Sequence, residues 1–139
     1  DKSTILAMGA GEELDKLVAT EVMEELMPEF TPQNALDLQL IGSPVKSPKG
    51  NWLCLCRYDE GDIPTWRPVP FSTDFSAAWQ VVEKMEAEGY GHKHLKYSQN
   101  RHEGVTWFFM QSGQGIFEAT GRDIKEAICK AALLTRLAG

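Results

Sequence analysis

The chain has 139 residues and a formal net charge of −6. That length is normally one domain with room for a substantial core, and the acidic balance excludes non-specific binding to duplex nucleic acid, which requires a basic surface. No apolar run approaches the length of a membrane span, no secretory pattern opens the chain, and with no initiator Met, Asp1 is not expected to be the natural start. Three cysteines, an odd number, argue against a disulfide framework and for a reducing, cytosolic setting.

From residue 12 to about 26, Leu14, Leu17, Val18 and Val22 recur on one side and Glu13, Lys16, Glu21 and Glu24 on the other, which predicts an amphipathic helix. All seven prolines then fall within residues 28–70. Proline cannot donate to a central ladder, so this stretch reads as loops and edge strands. Residues 38–41 and 52–58 are expected to pair as a long hairpin across 42–51, and the loop 59–70 carries Trp66.

Residues 71–90 read as one complete helix. Ser72, Thr73 and Asp74 are candidate caps, Phe75, Ala78, Trp79, Val82 and Met85 form an apolar stripe, and Gly89 followed by Tyr90 provides the stop. Trp79 is read as core. Residues 95–97 and 105–110 are strands separated by a loop at 98–104. Val105, Trp107 and Phe109 alternate with Thr106, Phe108 and Met110, so the second strand is expected to be covered on both faces. Residues 116–120 add a strand. Around Asp123 a capping segment opens a last helix with the stripe Ile124, Ala127, Ile128, Ala131 and Leu134. The expected fold is α+β: three helices packed on a central antiparallel sheet, αβα sandwich-like, in one domain over 1–139 with a proline-rich hairpin insertion at about 28–70.

The chemistry is sparse. There is no nucleophile elbow, phosphate-binding loop or dinucleotide glycine fingerprint. Cys54 and Cys56 share a strand face but lack the turn of a zinc site, and with Cys129 they read as buried apolar thiols. His92, His94 and His102 are weak candidates for a metal, being split between strand and loop with no fourth ligand. No cofactor and no catalytic residue is expected. Against the acidic background, basic groups gather around Tyr97, with Arg101 beside it and Arg57, Trp66 and Arg67 on the neighbouring segment. Basic groups interleaved with aromatics suit a phosphate-bearing nucleotide; a solvated hairpin that balances the acidic helices is the plainer reading.

Residues 5–23, 72–85 and 127–133 together resemble the phage ABA sandwich domain family, small proteins encoded by phages and prophages. The resemblance covers all three helices and the order of the elements between them. It implies a compact αβα-type fold in the host cytosol and carries over no catalytic residue; the longer 28–70 segment is this chain's departure from the pattern. The expected function is a non-enzymatic phage accessory protein that acts by binding a host protein or a small nucleotide-like ligand. The alternatives are an anti-defence sponge that sequesters a host immune nucleotide signal, and a metal-dependent nuclease or phosphodiesterase using the histidines. The Ala-rich last helix and the two-faced apolar sheet also point to a homo-oligomer.

Overall fold

The structure is a computed structural model that describes residues 1–29, 44–54, 65–99 and 102–137, with the side chains of 97–99 and 102–103 outside that description. Among these residues it is α+β, with four α-helices and two three-stranded antiparallel sheets.

A short helix α1 (Lys2–Ala7) opens the chain, capped by the Asp1 carboxylate accepting from the Thr4 N–H. Six residues are too few for a periodicity to register, which is why sequence reasoning passed over it. Helix α2 (Glu12–Leu17) continues as a π-helical turn, Val18–Val22, whose wider winding keeps Val18, Ala19 and Val22 buried. The expected helix to about residue 26 therefore stops early. Glu24 takes a left-handed φ of 59°, and the chain then turns to meet the first sheet.

That small sheet joins β1 (Val45–Lys46), β2 (Trp52–Cys54) and β3 (Trp66–Pro68) in sequence order. Val45 faces Cys54, and Trp52 faces Pro68. Both sides of Trp52–Cys54 are thus occupied, by β1 and β3; the expected long hairpin between 38–41 and 52–58 falls largely outside the described residues, which include neither 38–41 nor 55–58. Pro68 sits on an edge strand, where its missing N–H costs nothing. Glu25 fastens the turn: its carboxylate accepts from the Lys49 and Asn51 N–H groups at 3.3 and 3.1 Å, and its carbonyl accepts from the Trp52 indole at 3.0 Å. Burial works to raise the Glu25 carboxyl, but hydrogen bonds from Ser47, Asn51 and Lys49 outweigh it and hold the group below its usual range.

Helix α3 (Phe75–Ala87) takes Asp74 as its cap, accepting from the Ala77 N–H at 2.9 Å. Ser72 is used differently. Its N–H donates to the buried Asp15 carboxylate at 2.7 Å and its hydroxyl accepts from the Gly11 N–H, tying the start of α2 to this corner. Burial raises the Asp15 carboxyl above its usual range despite both Ser72 hydrogen bonds, and the nearby Glu12 charge adds to the rise. At the far end of α3, Tyr90 N–H donates to Met85 O and Gly89 N–H to Glu86 O, the paired bonds of a Schellman close with Gly89 at φ 94°.

The main sheet places β5 (His102–Gln111) between β4 (Gly91–Gln99) and β6 (Gly115–Gly121). The β4–β5 ladder runs to Gln99 opposite His102, so most of the expected 98–104 loop is strand. Helix α4 (Ile124–Leu137) lies on the face that carries Val105, Trp107 and Phe109. It opens with a variant of the capping box: Glu126 N–H donates to Asp123 Oδ1, and Arg122 N–H, one residue before the cap, donates to Glu126 Oε2, both at 3.1 Å. Residues Glu126 to Thr135 are buried in an unbroken run, because α1, α2, α3 and the main sheet all pack on this helix. The buried Lys130 meets Glu126 at 2.8 Å and also donates to Leu6 O. Contacts run from the main sheet through α4 to α2 and on to β3. The expectation of cover on both faces of β5 is corrected here: Thr106, Phe108 and Met110 on the other face are only half-buried.

Candidate functional site

Strand alternation sorts the basic residues of β4. His92, His94 and Lys96 stand opposite Phe109, Trp107 and Val105 on the helix-facing side, whereas Lys93 and Leu95 stand opposite Phe108 and Thr106 on the outer side. Of the basic cluster suggested by the sequence, His92, His94 and Lys96 thus share one side and Lys93 takes the other.

On the helix-facing side the imidazoles are held by aromatic rings. The buried Trp107 indole stacks on His92, with centroids 5.1 Å apart, and on His94, 5.3 Å apart and nearly parallel at 5°. Trp79 of α3 presents an edge to His92 and to Trp107 at 5.9 and 6.4 Å. One turn earlier, Phe75 stacks on Trp79 at 6.0 Å and remains 52% exposed. The Glu86 carboxylate lies 3.5 Å from His92 Nε2. The result is a partly open ledge at the α3–β4 junction. Phe75 and Trp79 give it flat apolar surface, while His94 and Lys96 give it exposed nitrogen. Such a ledge can stack a planar ring and place cations beside it.

Trp107 also carries a cost. Its indole N–H is buried and has no acceptor among the described residues, a loss of order 1–3 kcal/mol. Cys129 is buried within α4, and desolvation, followed by the charges of Asp15, Asp123 and Glu126, pushes its thiol well above the usual range. It stays protonated, the opposite of an activated nucleophile.

Of the residues expected from sequence, Trp66 and Arg67 lie on β3, with Trp66 half-buried against the core and Arg67 exposed opposite Leu53. Tyr97 and His102 are backbone members of the β4–β5 ladder, and their side chains fall outside the described residues, as do Arg57 and Arg101 entirely. Among the described residues no group of three or more His, Cys, Asp and Glu converges as metal ligands would. Trp79 packs against the core, as expected, while staying partly exposed; sequence reasoning missed the exposure of Phe75 because it continues the core stripe of α3. The available signal was Phe75 at the first helical position, where the stripe overruns the end of the packed layer.

The sequence profile of the phage ABA sandwich domain matches residues 16–133 of the chain. No curated protein and no solved structure gives a significant match. Among the described residues no helix is long and apolar enough to cross a membrane.

Proposed function

The chain belongs to the phage ABA sandwich domain family, and from that premise we propose that it is a phage accessory protein that acts by binding, with the α3–β4 ledge as the seat of a small, planar, negatively charged ligand of the nucleotide kind. The observation that carries this reading is the continuous aromatic run Phe75–Trp79–His92–Trp107–His94 with an exposed end. Stacking on such a run is worth roughly 1–3 kcal/mol per base and tolerates different bases. His94 and Lys96 border the same surface and supply donors to a phosphate. A binder of this type suits the sequestration of a host immune nucleotide in the host cytosol, since holding a signal needs affinity and no turnover. A host protein as the occupant is the competing reading.

The test is thermal unfolding against a panel of cyclic di- and trinucleotides and ADP-ribose derivatives. Ligand at one hundred times its Kd adds about 2.7 kcal/mol, a rise of about 9 °C for a domain of this length. A shift with ligand recovered intact supports sequestration. Ligand recovered cleaved makes the protein an enzyme, and no shift across the panel turns the search to host proteins.

A further inference from the structure

The outer face of the main sheet is a three-by-three array whose contents follow from the register. The middle row is Lys93, Phe108 and Glu118; one flanking row is Leu95, Thr106 and Thr120; the other is Gly91, Met110 and Ile116. Leu95 is 60% exposed and Ile116 70%. The two charges of the middle row sit on opposite edge strands. Neither has an ion-pair partner among the described residues, and Lys93 instead lies over the Phe108 ring with its Nζ 5.3 Å from the centroid. Along the β6 margin α1 forms a shallow groove of about 420 Å3 lined by Lys2, Leu6, Thr106, Glu118, Ala119 and Thr120.

We propose that this outer face is a docking surface for a second copy of the chain, the two sheets stacking face to face about a two-fold axis that runs along β5. The charges choose the axis. A two-fold along β5 exchanges the β4 and β6 sides, so each Lys93 faces Glu118 of the other copy and Phe108 faces Phe108. A two-fold across the strands keeps the sides in place and sets Lys93 against Lys93 and Glu118 against Glu118. Like charges brought together in a desolvated interface are strongly disfavoured, and only the first arrangement avoids them.

Side-chain sizes agree with the first arrangement. Ile116 of one copy lies over Gly91 of the other, a projecting side chain over a position that has none. Leu95 lies over the small Thr120, beside which Leu6 waits at the groove margin. Sheets packed in this aligned manner stand about 10 Å apart with their strands turned by roughly 30°, which preserves the register best at the central row. This surface is on the opposite side of the sheet from the ledge, so the two proposals stand or fall separately.

Sedimentation velocity over about 1–200 µM, the weak end of the range for specific interfaces, provides the test. The unmodified protein is expected to pass from monomer to dimer. Glu118→Lys and Lys93→Glu, each made alone, place like charges together twice per dimer and should raise the dimer Kd at least tenfold. The double exchange Lys93→Glu with Glu118→Lys restores the pairing and should recover most of the affinity. Both positions are on the sheet surface, and an unchanged melting temperature at low concentration shows that the fold is intact. A protein that is monomeric at every concentration overturns the proposal and leaves the face to a partner of another kind. A dimer that ignores both single exchanges, or that the double exchange fails to restore, overturns it equally.

Discussion

Arg136 and Glu88 meet through two parallel N–H···O bonds of 2.9 and 2.7 Å, and the same guanidinium donates to the carbonyls of Glu21 and Val22. One side chain near the end of the chain therefore joins the close of α3 to the π-helical turn after α2. Arg136→Lys keeps the charge but cannot present the planar fork. The expected cost is about 1 kcal/mol for Lys and roughly 2–3 kcal/mol for Ala, read from the midpoint of urea unfolding.

Two buried carboxylates should give the stability–pH curve opposing slopes on its acid side. Glu25 has its folded pKa below the ordinary 4.5, so its contribution is present above that value and is lost as pH falls through the lowered one. Asp15 has its folded pKa above the ordinary 3.8, so its ionisation weakens the fold, and stability drops as pH rises from 3.8 through the raised value. Glu25→Gln should lose stability at neutral pH and approach the unmodified protein as pH falls through the lowered Glu25 value. Asp15→Asn keeps an acceptor for the Ser72 N–H without the charge. It should equal or exceed the unmodified protein at neutral pH, with the difference vanishing at low pH.

Gly121 marks where α4 comes down onto β6. A Cβ there would lie 2.7 Å from the Ala127 nitrogen and 2.9 Å from the Glu126 Cβ, so the helix backbone must shift to admit it. Gly121→Ala should cost about 2–3 kcal/mol. At Gly9 a Cβ would meet nothing within 4 Å, and the same change there should cost no more than about 0.5 kcal/mol. Thermal unfolding of the two variants side by side checks this.

At the ledge, affinity and stability should separate. Phe75→Ala and His94→Ala remove exposed rings and should weaken ligand binding about tenfold with little change in melting temperature. Trp107→Ala removes a buried indole and should destabilise by roughly 3–5 kcal/mol. Trp107→Phe should cost much less, because it also removes an indole N–H that has no acceptor among the described residues. Calorimetric titration and unfolding of the same preparations distinguish the two kinds of loss.

Much of this was legible in the residues. The α3 helix with its Asp74 cap and Gly89 close, the three strands of the main sheet and the capping of α4 all follow from local rules that act within a few positions. What was not legible depended on tertiary packing. Helix α4 reads as amphipathic but is enclosed all round, because α1 and α2 return to cover the side that its own pattern leaves polar, down to the buried Lys130. The early end of α2 arises from a π turn and a left-handed Glu24, neither of which composition marks. Strand β1 went unseen because two residues are too few to show a period. At the ledge, His92 and His94 were singled out but their stacking on Trp107 was not, since that pairing requires the β4–β5 register.

That register binds two unrelated vocabularies into a single stretch of chain. Even-numbered positions of β4 from His92 to Lys96 spell the ledge, and the odd-numbered Lys93 and Leu95 spell the outer sheet face. Inserting one residue after Gly91 would exchange the two messages at a stroke, sending imidazoles outward, Lys93 against Trp107 and Leu95 against Val105. Each face can still be rewritten letter by letter, because a substitution at one parity leaves the other untouched. Variants that differ in what they hold on one side can thus keep an identical text on the other.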